Sequence, residues 1–214
     1  SRSACDHWAR VTGREHKLVA HNPQTGSVSV QDYLPHITEH TRVATIIHTS
    51  PVSGMAVDVA AIAAAIRQVS PDCFIVVDGI QHAAHGGLDI DSYDIDGYAI
   101  SPYKVFSRHG YGIAWVSERL SALPHERLMG TPDSQWEMGT RDTGAYATFS
   151  DVVDYFDWLG SHFTDATDRR TRILAAGEQI HAHEAHLVES MLHGVDGQPG
   201  LSQLDGVTVI GGID

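Results

Sequence analysis

Lysine and cysteine are both scarce in this chain of 214 residues. Lys17 and Lys104 are its lysines, and Cys5 and Cys73 are its cysteines. Two cysteines do not make a disulfide framework, and Cys73 opens an apolar run of the kind that is buried in a strand. We therefore expect a reduced, cytoplasmic protein, in which any lysine chemistry depends on one of two residues.

Net basic charge and long apolar runs are lacking as well. The formal net charge is −13 at pH 7, whereas nucleic acids and anionic membrane surfaces select for basic proteins. No apolar run approaches the ~20 residues that a membrane-spanning helix needs, and no signal-peptide pattern opens the chain. These absences argue against nucleic-acid and membrane partners, and the hydrophobic content of 42% is that of a globular protein.

The order of apolar runs and helix-like segments predicts an α/β fold, with a mostly parallel sheet flanked by helices. A continuously apolar run such as residues 42–48 is typical of a parallel strand covered on both faces. Residues 98–101 and 111–116 are too close in sequence for a helical crossover, so we expect an antiparallel hairpin there. The predicted strands are 17–21, 42–48, 73–78, 98–101, 111–116 and 207–210. The predicted helices are 4–12, 57–69, 145–159 and 165–193, with a further one at 31–37 that Pro35 interrupts.

An acid and an amine follow two neighbouring strands of this predicted sheet. Asp78 closes the strand 73–78, and Lys104 comes shortly after the strand 98–101. If these strands are parallel neighbours, both side chains emerge at the sheet edge where ligands of open α/β sheets bind. Pyridoxal phosphate requires such a pair, a Schiff-base lysine and an acidic partner for its pyridine nitrogen. Lys17 opens a predicted strand with no partner motif, so Lys104 is the candidate.

Four segments, taken in order and spacing, resemble the class V aminotransferase family. That family includes cysteine desulfurases, isopenicillin N epimerase-like proteins and kynureninase relatives. The segments are TRVATIIHTSPVSG at 41–54, VDGIQ at 77–81 with His85, SPYK at 101–104 and GTRD at 139–142. The resemblance runs from about residue 6 to 210 and covers the central part of such an enzyme.

The resemblance implies a fold-type I architecture, a homodimer and pyridoxal 5'-phosphate as cofactor. It implies that residues 1–145 belong to the cofactor-binding large domain, whose N-terminal portion would be missing from this chain. Residues 146–214 would then be linking helices and the truncated start of a smaller C-terminal α+β domain.

The resemblance also implies the roles of the central residues. Lys104 would form the Schiff base and then act as the base that moves the α-proton of the substrate. Asp78 would keep the pyridine nitrogen protonated, because opposite charges at hydrogen-bonding distance favour both charged forms. The side-chain amide of Gln81 would contact the phenolic oxygen of the cofactor.

The phosphate group and the substrate have their own candidate residues. Ser101 and Tyr103 resemble phosphate ligands, although many relatives have a histidine at the position of Tyr103. Thr140 resembles a threonine that reaches the phosphate of the partner subunit. The substrate-binding candidates are Arg141, which could pair with a carboxylate bidentately, and His48 and His85, which could equally be packing or loop histidines.

No metal site is expected, although the chain has 15 histidines. Residues 181–186 read HAHEAH, and this spacing lacks the two-residue gap of the zinc motif H-E-x-x-H. Only His183 and His186 would share a helical face, so a solvated helix is the better interpretation.

The function implied is a pyridoxal phosphate-dependent enzyme that acts on an amino acid or primary amine by aminotransferase, epimerase or lyase-type chemistry. The segment GTRD is closer to epimerase-like members than to the Gly-Thr-Pro of desulfurases. A cysteine desulfurase or C–S lyase is the alternative, and its nucleophilic cysteine would lie beyond residue 214, because neither Cys5 nor Cys73 is placed for that role. A catalytically idle scaffold or binding protein is the alternative of another class. Tyr103 keeps it open, and so does Pro51, which stands where relatives commonly have an asparagine.

Overall fold

The computed structural model describes residues 2–140 and 142–211. Its main sheet has four strands, in the order in which they occur along the chain: β1 (Val43–Ile47), β2 (Phe74–Asp78), β3 (Gly97–Ile100) and β4 (Ile113–Val116). β1, β2 and β3 are parallel, and β4 is antiparallel to β3. The mostly parallel sheet and the hairpin that closes it are both confirmed.

Helices cover the predicted segments with small shifts at their ends. The helices are α1 (Arg2–Thr12), α2 (Val30–Tyr33), α3 (Val59–Val69), α4 (Glu118–Ser121), α5 (Thr143–Gly160) and α6 (Arg169–His193). Of these, the short α4 lies in no predicted segment. Single 3₁₀ turns are Leu34–His36, Ile90–Ser92, Pro102–Lys104 and Leu201–Gln203, and a short hairpin joins β5 (Gly194–Val195) to β6 (Gln198–Pro199). Pro35 changes the end of α2 into the first of these 3₁₀ turns, which confirms the predicted interruption.

The predicted strands at 17–21 and 207–210 are wrong, because both segments are irregular. A strand requires a neighbour that accepts its backbone hydrogen bonds, and neither segment belongs to either sheet. Leu18 stays 50% exposed and Ile210 stays 60% exposed. Short apolar runs of this kind do not specify a partner by themselves.

The main core lies between the sheet and α3. Asp58 caps α3 by accepting a hydrogen bond from the N–H of Ala61 at 2.9 Å, a contact worth ~1 kcal/mol. Ile62 and Ile66 then face the sheet, where they pack with Ile46 and Ile75 at 0–1% exposure. Burying each of these isoleucines contributes roughly 1.5–3 kcal/mol, so this layer fixes the spacing of β1 and β2.

A buried carboxylate holds the amino ends of the strands together. Asp96 is 2% exposed and accepts hydrogen bonds from Arg119 at 2.7 Å, from Arg67 at 2.8 Å and from the N–H of Ile75 at 2.9 Å. Burial raises the pKa of Asp96, but the hydrogen bonds from these three groups outweigh it and hold the pKa at about 2. The cluster ties α3, α4, β2 and β3 at the end of the sheet opposite Asp78.

A second, smaller core forms where α5 and α6 pack against the loops that follow β2 and β3. Val152, Phe156 and Ala176 of the helices are buried with Ala84 and Val105 of the loops. These helices therefore support the loops at the carboxyl edge of the sheet. Within the described residues, none of the helices is long and apolar enough to cross a membrane.

Candidate active site

The turn after β2 is shaped by a ring from the neighbouring strand. Asp78 is the last residue of β2 and lies in register with Ala99 of β3. The N–H of Gly79 donates to the carbonyl of Ala99 at 2.9 Å, and a Cβ atom at residue 79 would overlap the ring of Tyr98. Only glycine fits here. The N–H of Ile80 donates to Asp78 Oδ1 at 3.3 Å, which orients the carboxylate at the start of the loop.

The lysine and the amide meet at this edge. Lys104 ends the 3₁₀ turn that follows β3, and its Nζ donates a hydrogen bond to Gln81 Oε1 at 2.6 Å. Gln81 lies in the turn that begins at Asp78. Both side chains are half-buried. The structure thus brings the three central candidates to one edge of the sheet, as parallel strands require.

His48 completes this edge from the end of β1. The backbone N–H of His48 donates to the backbone carbonyl of Asp78 at 3.0 Å. Its ring Nδ1 lies 2.8 Å from the hydroxyl of Tyr98. The rings of His48 and His82 stack with centroids 3.4 Å apart, and the Nδ1 of His82 lies 3.0 Å from the hydroxyl of Thr49. These contacts pack the turn that carries Asp78 against β1.

Burial shifts the pKa values of these aromatic groups in the direction that favours their neutral forms. Burial and, to a smaller extent, the charge of His82 lower the pKa of His48 to about 3. Burial is also the main cause that lowers the pKa of His82. The pKa of Tyr98 is raised well above its ordinary value by burial first, then by Tyr93 and Asp78.

The other candidates are not all at the same edge. Ser101 and Tyr103 flank Pro102 at the end of β3, and the hydroxyl of Ser101 makes no hydrogen bond within the part of the chain that is described. His85 instead binds Glu184 of α6 at 2.8 Å on the surface. Thr140 is exposed in an irregular segment.

The segment 139–142 approaches the lysine loop through its last residue. Arg141 lies outside the described residues. Asp142 caps α5 by accepting from the N–H of Ala145 at 3.0 Å, and it forms an ion pair with Arg108. Arg108 lies in the loop that follows Lys104. The Arg108–Asp142 ion pair therefore connects the start of α5 to the segment that carries the lysine.

Comparison with known proteins gives the family. Residues 3–190 match the sequence model of the Aminotransferase class-V family. The chain belongs to this family. A cysteine desulfurase of Cronobacter sakazakii is 28% identical over 207 residues, which cover 89% of this chain and 46% of that protein. A probable cysteine desulfurase of Mycoplasma pneumoniae is 36% identical over 84 residues, which cover 39% of this chain and 21% of that protein.

The fold agrees with solved structures of class V enzymes. The cysteine desulfurase CsdA of Escherichia coli superposes with a TM-score of 0.64 at 26% identity, over 86% of this chain and 46% of CsdA. The chain therefore has the fold-type I architecture, and it spans less than half the length of CsdA and of these curated relatives.

The residues at the carboxyl edge of the main sheet fit the cofactor of the class V family. Class V aminotransferases and cysteine desulfurases depend on pyridoxal phosphate. The donor set at this edge offers a carboxylate from Asp78, an amine from Lys104, an amide from Gln81 and a hydroxyl from Ser101. This set matches a cofactor with a basic ring nitrogen, an aldehyde, a phenolic oxygen and a phosphate. Within the described residues, no group of three or more His, Cys, Asp or Glu side chains is arranged to hold a metal ion.

Neither cysteine lies at this edge. Cys73 directly precedes β2, at the end of that strand opposite Asp78, and is fully buried. Burial raises the pKa of its thiol, although Arg67 acts in the opposite direction. Cys5 lies on α1, with its Sγ 3.7 Å from the hydroxyl of Thr45 in the middle of β1.

Two residues of the site region, Tyr98 and His109, belong to no functional motif in the sequence. The sequence pattern places Tyr98 in a strand and gives no role to His109. A glycine directly after a strand-end acid is typical of a crowded turn, but the sequence does not identify the neighbour of Gly79. Nothing in the sequence pairs His109 with Tyr103, whose rings are stacked.

Proposed function

We propose that this protein is a pyridoxal phosphate-dependent enzyme that acts on an amino acid or another primary amine. The observation that carries the proposal is the 2.6 Å hydrogen bond between Lys104 Nζ and Gln81 Oε1, at the edge where β2 ends in Asp78. A half-buried amine held by a neutral amide, rather than by an acid, is free to react as a nucleophile once it is deprotonated.

Asp78 is the proposed partner of the cofactor's pyridine nitrogen. When bound, pyridoxal phosphate supplies a protonated ring that withdraws electrons from the substrate α-carbon. A carboxylate beside the nitrogen favours its protonated form. The N–H of Ile80 orients this carboxylate before any ligand binds, and the close approach of Tyr98 to Gly79 constrains the turn that follows it. Preorganisation of this kind lowers the entropic cost of binding.

Lys104 is proposed to have two tasks. Its amine would hold the cofactor covalently, and the same amine, when free, would move the proton at the substrate α-carbon. Gln81 keeps the Nζ atom at the sheet edge and presents its amide to the cofactor's phenolic oxygen. Both tasks require the uncharged amine, which a neutral hydrogen-bond acceptor permits.

The phosphate is proposed to bind Ser101 and Tyr103 of one subunit and Thr140 of its partner in a homodimer. The hydroxyl of Ser101, which has no hydrogen-bond partner among the described residues, and the exposure of Thr140 support this assignment. The two free thiols support the cytoplasmic setting. The division into a large domain up to residue 145 and a small one from residue 146 stays a prediction, and α5 spans that boundary.

The substrate contacts and the reaction type belong to the proposal as well. His48 is buried beside Asp78, which supports a role near the cofactor ring. His85 is paired with Glu184, and Arg141 is proposed as the residue that binds the substrate carboxylate. We propose aminotransferase, epimerase or lyase-type chemistry for this pocket.

Cysteine desulfurase is the second candidate, and the names of the relatives favour it. Such an enzyme requires a nucleophilic cysteine, and Cys5 and Cys73 lie away from Lys104. The candidate therefore needs a cysteine outside these 214 residues. Formation of L-alanine from L-cysteine by the full-length protein, with release of sulfide once added dithiothreitol reduces the protein persulfide, would support this candidate. Unchanged L-cysteine would leave the other reaction types.

The decisive experiment uses the two lysines of the chain. The full-length wild-type protein should turn yellow with pyridoxal phosphate, and its absorbance should shift when an amino acid is added. Lys104→Ala should lose the covalently attached cofactor, while the matched Lys17→Ala variant should keep it. Borohydride reduction followed by peptide mass spectrometry should place the label on Lys104. A protein that stays colourless in every case is an idle scaffold, and the proposal is then wrong.

A further inference from the structure

The phenol of Tyr103 and the imidazole of His109 form a stack beside the lysine. Their ring centroids are 4.2 Å apart and their planes differ by 17°. Tyr103 directly precedes Lys104, and His109 lies in the loop that leads to β4. The loop thus brings the imidazole of His109 next to the segment whose Ser101 and Tyr103 hydroxyl groups are proposed to bind the phosphate.

Few side chains in the segment 101–112 can carry the positive charge that would balance a phosphate. A phosphate monoester carries nearly two negative charges at pH 7, and the chain itself has a formal net charge of −13. Lys104, Arg108 and His109 are the side chains between residues 101 and 112 that can carry a positive charge. Lys104 is reserved for attachment of the cofactor, and Arg108 is paired with Asp142. Within the described residues, His109 stacks on Tyr103 without an acidic partner.

We propose that His109 is a further contact of the cofactor's phosphate group, oriented by its stack on Tyr103. This inference rests on the proposed function. An imidazole donates an N–H in either protonation state, and its protonated form makes a charge-assisted hydrogen bond to a phosphate oxygen. The hydroxyl groups of Ser101 and Tyr103 donate hydrogen bonds but carry no charge, so His109 adds the positive charge that they lack.

The test compares two ligands that differ only in the phosphate. Pyridoxal phosphate and pyridoxal are titrated into the full-length protein, and their dissociation constants are measured from the absorbance change. His109→Ala should weaken pyridoxal phosphate binding about 10-fold or more, the loss expected for a charged hydrogen bond. Pyridoxal binding should change less than about twofold. His109→Gln, which keeps an N–H without the charge, should fall between wild type and His109→Ala for pyridoxal phosphate.

His125 provides a matched control. It also stacks on an aromatic ring, that of Trp136, with centroids 4.5 Å apart, but it lies outside the segment 101–112. His125→Ala should leave the preference for pyridoxal phosphate over pyridoxal unchanged. Far-UV circular dichroism and thermal melts check that each variant is folded. If His109→Ala does not fold, the binding of pyridoxal phosphate and pyridoxal is compared in His109→Gln instead.

The outcomes separate this inference from the proposed function. Equal losses for both ligands in His109→Ala would show that the stack only supports the fold, and the inference is then wrong. It is also wrong if neither ligand is affected. A wild-type protein that binds neither pyridoxal phosphate nor pyridoxal overturns the proposed function, and this inference falls with it.

Discussion

The ring of Tyr98 on β3 occupies the space where residue 79, directly after β2, would carry a Cβ atom. The hydroxyl of the same ring lies 2.8 Å from His48 Nδ1 on the far side of the turn. Tyr98 therefore wedges the turn after Asp78 against the end of β1. This contact between a glycine and a tyrosine constrains the backbone of the turn that directly follows Asp78.

Gly79→Ala should destabilise the protein and weaken cofactor binding. The added methyl group must displace the Tyr98 ring or the backbone, and overpacking of this kind costs roughly 1–3 kcal/mol. Urea denaturation and titration with pyridoxal phosphate measure the two effects. Gly139→Ala is the control for stability, because a Cβ there meets nothing within 4 Å. In the double variant Gly79→Ala/Tyr98→Ala the two costs should not add, and strict additivity would refute the wedge.

Much of the fold and of the candidate site was predictable, because it depends on local pattern. Periodic apolar residues give α3, α5 and α6, and the strand-end position of Asp78 and Lys104 follows from parallel strands. The wedge of Tyr98 was not predictable, since it joins residues that share no local pattern. The prediction of a strand at residues 17–21 was wrong for a related reason. A strand forms only with a neighbouring strand, and the sequence of one segment does not determine which neighbour it has.

Acid should destabilise the protein below pH 6.5 through His48. The ordinary pKa of histidine is 6.5, and in the folded protein that of His48 is about 3. Between these values the unfolded chain binds a proton that the folded chain excludes, so stability decreases as the pH falls through this window. The slope approaches one proton, or ~1.4 kcal/mol per pH unit, with a contribution of the same sign from His82, whose pKa is also lowered.

His48→Asn should flatten this part of the stability profile, measured by urea denaturation at a series of pH values. His40→Asn is the control, because the side chain of His40 is 79% exposed. The pKa of His82 is lowered by its own burial, so a residual slope from His82 is expected in His48→Asn. An unchanged slope between pH 6.5 and 4 in that variant would contradict the assignment to His48.

Asp96→Asn should cost much more stability than Asp94→Asn. Removing the charge of Asp96 leaves Arg67 and Arg119 without their buried partner, and breaking a buried ion pair costs on the order of 3–5 kcal/mol. Asp94 also pairs with Arg67, at 3.5 Å, but its side chain is 73% exposed, so its loss should cost less than ~1 kcal/mol. Thermal melts of both variants test the difference, and equal shifts would disprove the role of Asp96 as the anchor of the amino edge.

Gln81→Glu should slow the attachment of pyridoxal phosphate at neutral pH. Gln81 Oε1 lies 2.6 Å from Lys104 Nζ, and a carboxylate at this distance stabilises the ammonium form, which cannot attack an aldehyde. We expect a rate roughly 10-fold lower at pH 7.5, because each whole-number rise in the pKa of the amine lowers its uncharged fraction about tenfold. The rate should recover as the pH is raised. Stopped-flow absorbance measures the rate.

Gln179→Glu introduces the same charge on the exposed face of α6 and should leave the rate unchanged. A rate in Gln81→Glu that falls equally at all pH values would indicate lost contacts with the cofactor rather than a charged lysine.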